Sequence, residues 1–267
     1  MCYHFEIIVN FQFSYKNYKN YLKITPFVVV LMSKVLYMDD GYLKEFEAEV
    51  ESVKDNKYVV LDKTAFYPLG GGVAYDTGVL LRGSEEFPVV YVGKFDDKIS
   101  HEVSKPGLKA GDKVIGIINW ERRYKLMKLH TAAHLISGIF HNKTKALITG
   151  GNIEPEKART DFSLENFDRQ MIDDTFKLAN ELIQKNAHVK ISYMKREDAL
   201  KIPDMVKLAN KMPPDVDTLR IVEIEGIDKQ ADGGCHVNSL KEIGTIEIVK
   251  VENKGKNNRR VYYAVKD

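Results

Sequence analysis

The hydrophobic period of this chain changes at Asn119, and that change constrains its architecture more than any other feature. Before it, short segments alternate apolar and polar residues: KEFEAEVESV (44–53), NKYVVLD, GVLL, FPVVYVGKF, KISHEV and GDKVIGIINW, with turn residues between them. A period of two marks strands, because successive side chains point to opposite faces of a sheet. Short strands at this spacing predict a small barrel or sandwich. After Asn119 the pattern is helical. WERRYKLMKLHTAAHLISGIFH contains no proline, Asn119 suits an N-cap, and Leu126, Leu129, Ala133 and Phe140 lie on or near one face.

The second half mixes both periods. Ile172, Phe176, Ala179 and Ile183 predict a helix over about 164–186, followed by the strand HVKISYM. REDALK and DMVKLANK read as short helical pieces ended by Pro213 and Pro214, and TLRIVEI, GTIEIVKVE and RRVYYAV as strands. The predicted class is α+β: a small N-terminal β-barrel over 32–118, then an α/β domain over 119–267 with a largely antiparallel sheet packed on helices. Residues 1–31 stand apart, rich in Tyr, Phe, Asn, Lys and Ile without a period. Met32 reads like a clean domain start, so residues 1–31 are expected to be a non-native or disordered extension.

Composition removes several classes. Two cysteines, Cys2 and Cys235, cannot build a disulfide framework, which suits a reducing setting. The longest apolar run, Phe27–Met32, is far below the roughly 20 residues a membrane helix needs. Lysines precede it, but no small-residue cleavage site follows, so the expected location is cytoplasmic. A net charge of +2 predicts no nucleic-acid partner by itself.

The chemistry concentrates in two places. His130 and His134, in HTAAH, are four apart on the first helix, so their imidazoles share a face about 6 Å apart at Cβ and can ligate one ion. Thr131 stands where a zinc peptidase carries its glutamate base, so that activity is not expected. QADGGCHV (230–237) adds Asp232, Cys235 and His236 across two glycines, which read as a tight turn through positive φ. Asp232 and His236 with the helix pair make three nitrogens and a carboxylate oxygen, a set zinc accepts; Cys235 is the alternative fourth ligand. A nucleophilic Cys235–His236 pair and a merely polar glycine turn are the competing readings. His141 suits the helix C-terminus, and His101 and His188 have no evident partner. Gly70, Gly71 and Gly72 lack a Walker A ending; their exposed amides could bind an anion or carbonyl, or make a sharp hairpin.

Four pieces in order, FYPLGGGVAYDTG, HTAAH, TGGNIEPEKARTDF and DGGCHVNSLKEIG, resemble the AlaX family, freestanding alanyl-tRNA editing proteins similar to the editing domain of alanyl-tRNA synthetase. The resemblance runs from about Leu36 to the end and fits the medium-length type. It implies hydrolysis of mischarged alanine tRNA, chiefly the seryl and secondarily the glycyl ester. It also implies one bound Zn²⁺ held by His130, His134 and His236. The family's cysteine ligand falls on Asp232, and Cys235 occupies a position often held by threonine. Thr131 and His134 are candidate catalytic residues; Gly70, Gly71, Gly72, Asn152, Arg159 and Cys235 are candidate substrate contacts. The implied partner is tRNA, with neither membrane nor DNA. Phosphate contacts would fall to Arg122, Arg123, Lys125, Lys128, Lys157, Arg159, Lys254, Lys256, Arg259 and Arg260. A non-catalytic tRNA-binding module and a metal-dependent small-molecule esterase are the rival readings.

Overall fold

Alternation suits a barrel because closing the sheet on itself covers the apolar half of each strand and leaves no free edge. The computed structural model describes residues 34–164, 168–209 and 212–266, so the expectation for residues 1–31 lies outside the described residues. Strand β1 (Lys34–Val35) pairs in parallel with β4 (Lys63–Thr64). The closed barrel runs β2 (Glu45–Lys54), β3 (Tyr58–Leu61), β7 (Lys98–Val103), β6 (Glu85–Phe95), β5 (Gly78–Arg82), β8 (Lys113–Ile118) and back to β2. Phe46, Ala48 and Val50 of β2 point inward while Glu45, Glu47 and Glu49 face solvent. His101 is a satisfied core residue: its ring nitrogens lie 2.9 Å from the Val59 carbonyl and 2.8 Å from Thr64 Oγ1.

Helix α1 (Trp120–Thr144) starts where Asn119 Oδ1 accepts the Arg122 N–H at 3.2 Å. It is not amphipathic in the way its sequence suggests. From Leu126 to His141 every residue except the half-buried Ala133 is buried. The reason is position: α1 packs against β9 (Ile148–Glu154) and β10 (Lys157–Phe162), against α2 (Arg169–Lys185), and against β13 (Asp228–Ala231). Helix α2 begins later than predicted, where Asp168 accepts the Met171 N–H at 3.1 Å, and Leu164 is buried ahead of it.

Two antiparallel sheets complete the α+β architecture. One is ordered β14 (Thr245–Asn253), β15 (Arg259–Lys266), β10, β9; the other β11 (Val189–Lys195), β12 (Thr218–Ile224), β13. Helix α3 (Arg196–Ala199) matches REDALK, but the described part of DMVKLANK, residues 204–209, is not helical. Pro203 precedes it, Asp204 has φ 61°, and its backbone pairs elsewhere: Ile148 N–H donates to the Lys207 carbonyl and Ala209 N–H to the Ile148 carbonyl, each at 2.8 Å. Edge pairing with β9 has outcompeted local helix propensity. The proposed domain boundary near residue 118 falls between β8 and α1, and one hydrophobic cluster runs across it, from Phe66 and Leu80 to Leu129 and Leu135. No described helix is long and apolar enough to cross a membrane.

The loop from β4 to β5 joins the barrel to the second half. Ile153 N–H donates to the Gly72 carbonyl at 2.7 Å and Ala74 N–H to the Ile153 carbonyl at 2.9 Å, so the loop extends the free edge of β9. Gly71 and Gly72 have φ of 60° and 83°, which makes the hairpin between Gly70 and Val73 a glycine turn. Arg123 locks the loop to α1. Its guanidinium pairs with Asp76 and donates to the Gly41 and Ala65 carbonyls, all buried.

Candidate metal centre

Helical spacing puts His130 and His134 one turn apart on α1, and β13 delivers the rest. Asp228, Gln230 and Asp232 alternate along and just beyond β13, so they share the side facing α1. Close approach depends on two glycines. A Cβ at Gly138 would lie 2.9 Å from Asp228 Cβ, so α1 is bare where the β12–β13 turn crosses it. A Cβ at Gly234 would lie 2.7 Å from His130 Nδ1. Neither Gly233 nor Gly234 has a positive φ, so the expected left-handed turn is corrected: Gly234 is needed for contact, not for backbone freedom. Asp232 shapes the turn by accepting the Gly234 N–H on Oδ1 at 2.7 Å, and Arg220 holds it by donating to the Asp232 carbonyl at 2.8 Å.

His130, His134, Asp232 and His236 converge, with one ligand atom from each lying within 4.8 Å of the others. His236 Nε2 is 3.1 Å from Asp232 Oδ1, and His130 and His134 Nε2 are 3.7 and 3.9 Å from Asp232 Oδ2. Tetrahedral ligands at zinc distances sit about 3.3 Å apart, so the cluster is near that size. The far side of two rings is fixed. Thr131 Oγ1 donates to the Met127 carbonyl at 2.9 Å and accepts the Val237 N–H at 3.1 Å. Its remaining capacity is as an acceptor, so His236 Nδ1, 3.2 Å away, carries the proton and Nε2 presents a lone pair to Asp232. His134 Nδ1 likewise donates to Asp228 Oδ2 at 3.0 Å. Asp228 is fully buried and also accepts from Lys207 Nζ and, at 2.8 Å, from Gln230 Nε2.

The electrostatics match a cation. Burial pushes His130 down to about 4, and burial together with His130 holds His236 well below its ordinary value. Their rings stack at 4.2 Å between centroids, so a charge on both at once is disfavoured. Burial would raise Asp232, but the surrounding histidines outweigh it and keep the carboxylate well below its usual range. Burial also opposes charge on His134, yet Asp228 and Asp232 raise it. The result is a carboxylate facing imidazole lone pairs, an arrangement of acceptors that a bound cation satisfies. This group could hold a metal ion, and a carboxylate behind a ligating histidine is a common way of orienting one.

The centre floors a cavity of about 170 Å³. Its walls are α1 through Ala133 and Ser137, the Gly71–Gly72 turn, β9 from Ile148 to Gly151, and Leu208–Ala209. Sites for drug-sized ligands span roughly 300–1,000 Å³, so this one suits a small group at the end of a larger molecule.

A family model described as tRNA synthetases class II (A) matches residues 11–122, and one described as threonyl and alanyl tRNA synthetase second additional domain matches residues 219–262. A Saccharolobus solfataricus protein named alanyl-tRNA editing protein AlaX-M is 50% identical over 238 residues, covering 88% of this chain and all of that protein. The chain belongs to the AlaX family. AlaX-M of Methanosarcina acetivorans is 47% identical over 88% of this chain and 100% of its own length. The alanine–tRNA ligase of Methanococcus maripaludis is 37% identical over 91% of this chain but only 27% of the ligase.

Within this AlaX chain, Gly71, Gly72, Arg159, His130, His134 and Asp232 border the cavity, and His236 is buried outside its wall. Gly70 closes the adjoining turn. Several expectations are corrected. Cys235 turns Sγ toward the Tyr37 carbonyl at 3.9 Å, and burial pushes its thiol up to about 11. It neither joins the cluster nor borders the cavity, because adjacent residues in extended backbone point oppositely. A nucleophilic Cys235–His236 pair is excluded on the same geometry. Thr131 is fully buried with its hydroxyl saturated, so it positions His236 and has no capacity left for catalysis or substrate. Asn152 is exposed and outside the cavity wall. Arg123 is spent on Asp76, and Arg259 is 4% exposed and holds the β14–β15 turn through Asn253 and the Gly255 carbonyl, so neither is a phosphate contact. Lys128 is buried over the Tyr124 ring. His141 binds the Ala146 carbonyl at 3.1 Å at the helix end, as expected. Asp228, Gln230 and Lys207 were missed by sequence reasoning. The polar alternation of DKQAD was the available signal for the first two.

Proposed function

We propose that this chain is a trans-acting aminoacyl-tRNA deacylase. It hydrolyses mischarged alanine tRNA, the seryl ester first and the glycyl ester second. Zn²⁺ would be held by His130, His134, His236 and Asp232. The relatives named alanyl-tRNA editing proteins support the substrate class. The observation that carries the reading is the Asp232 carboxylate set against His134 and His236, whose Nδ1 atoms are already committed to Asp228 and Thr131, at the floor of a small cavity. When bound, zinc supplies a Lewis acid and can lower the pKa of water.

The chain's own residues do the rest. Thr131 and Asp228 fix the His236 and His134 rings, so their Nε2 atoms are aimed before substrate arrives. The Gly71–Gly72 turn brings backbone rather than side chain to the cavity wall, leaving room for an ester and its terminal ribose. Arg159, with its side chain 27% exposed, places positive charge at the same cavity. Farther out, Arg122, Lys125 and Lys157 line one groove together with Glu121, Glu154 and Glu156, and Lys254 and exposed Lys256 lie near the β14–β15 turn; these would make the remaining phosphate contacts, whereas Arg260 is paired with Asp161. An aminoacyl ester is already activated, so positioned water and selection suffice.

The test is incubation of purified protein with alanine tRNA charged with serine, glycine or alanine, with metal content measured in parallel. Faster release of serine than in buffer, with about one zinc per chain, is expected. No acceleration would leave a binding module, and equal cleavage of small free esters would make the chain a general esterase. His134→Ala should lose the zinc.

A further inference from the structure

Ser137 is the buried polar group that the metal centre does not use. It lies on α1 three residues after His134, so the two side chains are neighbours on one helix face, and both border the same cavity. Ser137 is 2% exposed, and its Oγ has no hydrogen-bond partner among the described residues. A helical serine ordinarily bonds back to the carbonyl of the preceding turn; this one does not. An unpaired buried hydroxyl is costly and calls for an explanation. The cavity wall mixes apolar Ala133, Ile148 and Leu208 with polar Thr149, Arg159, Thr160 and Gln230, and none of these makes a hydrogen bond to Ser137 Oγ.

We propose that Ser137 reads the side-chain hydroxyl of the aminoacyl group, and is the residue that separates a seryl ester from esters lacking that hydroxyl. The inference rests on the deacylase reading. Thr131, the hydroxyl closest in sequence to the ligands, has no capacity left, whereas Ser137 can both donate and accept. A ligand hydroxyl entering the cavity satisfies Ser137, while a hydrogen or methyl leaves it unpaired. That asymmetry gives strong discrimination, since a site built to bond a hydroxyl rejects the analogue that lacks one. Its place on the α1 wall, one turn from His134, suits the short amino-acid side chain rather than the bulkier ribose.

Ser137→Ala is the test, because it removes the hydroxyl with little change of volume on a helix. kcat/KM is measured on seryl and glycyl esters of the same tRNA, together with zinc content and Tm. The seryl-to-glycyl ratio is expected to fall roughly tenfold or more, the scale of one lost buried hydrogen bond, with zinc retained and Tm at or above wild type. An unchanged ratio overturns the proposal. So does an equal loss on both esters, which would place the hydroxyl on ribose, and so does a Tm several degrees lower, which would show a partner within the protein. Failure of the wild-type protein to cleave either ester would instead remove the deacylase reading.

Discussion

Gly234→Ala places one methyl group against a ligand ring. The added carbon would lie 2.7 Å from His130 Nδ1, closer still to Cε1, and 3.1 Å from Asp232 Oδ1. Non-bonded heavy atoms settle at about 3.5–4.0 Å, so the His130 ring must retreat by roughly 1 Å. Zinc–nitrogen bonds are about 2.0–2.1 Å with a tolerance of about 0.2 Å, so a shift of that size removes the ligand. Misplacing a reacting group by 1 Å costs on the order of 100-fold in rate. The expected outcome is substoichiometric zinc by metal analysis and about 100-fold slower release of serine from seryl-tRNA. Gly233→Ala is the control: its Cβ would meet its nearest neighbour, Met38 Cε, at 4.0 Å, and neither glycine has a positive φ. Wild-type zinc content and rate in Gly234→Ala would refute the contact argument, and so would equal damage in both variants.

Thr131→Val keeps the shape of the side chain but strands the His236 Nδ1–H and the Val237 N–H. Zinc affinity measured against a chelator should fall about 10–100-fold, and denaturant unfolding should show a loss of about 1–3 kcal/mol. Lys207→Met leaves the fully buried Asp228 without its counter-charge, and breaking such a pair costs about 3–5 kcal/mol, read from the same unfolding curves. Cys235→Ala should stay fully zinc-loaded, because the thiol faces Tyr37; loss of the metal would return Cys235 to the ligand set. His101 is held neutral, its pKa lowered by burial from 6.5 to about 4. The unfolded chain therefore binds the extra proton first. Stability present above pH 6.5 is lost as pH falls toward 4, by roughly 3 kcal/mol at 1.36 kcal/mol per unit. His130 and His236 shift in the same direction, so His101→Gln is the comparison, and its stability should fall less steeply with acid.

Local regularities were legible. The barrel strands, the start of α1 at Asn119 and the paired histidines follow from period, capping and spacing, which are properties of neighbouring residues. Reading failed where partners came from afar. DMVKLANK has helical composition, but Ile148 supplies bonds to its backbone that local propensity does not count. Arg123 looked like a phosphate contact beside a ligand, until Asp76 from the barrel loop claimed it. Thr131 reads as a catalytic hydroxyl by its place in HTAAH, but Met127, Val237 and His236 take up its one donor and two acceptor positions.

By itself the sequence determined which side chains could bind a metal. HTAAH fixes two imidazoles on one helix face, and the order of residues in DGGCH separates His236 from Cys235 across alternating backbone directions. Only the tertiary structure decided which atoms face the ion and which groups stay free for substrate. A ring's tautomer depends on what lies behind it, and Asp228 and Lys207 reach His134 from 94 and 21 residues away along their respective links. Ser137 and Thr131 are similar hydroxyls six positions apart on one helix, and packing alone leaves the first unpaired and the second saturated.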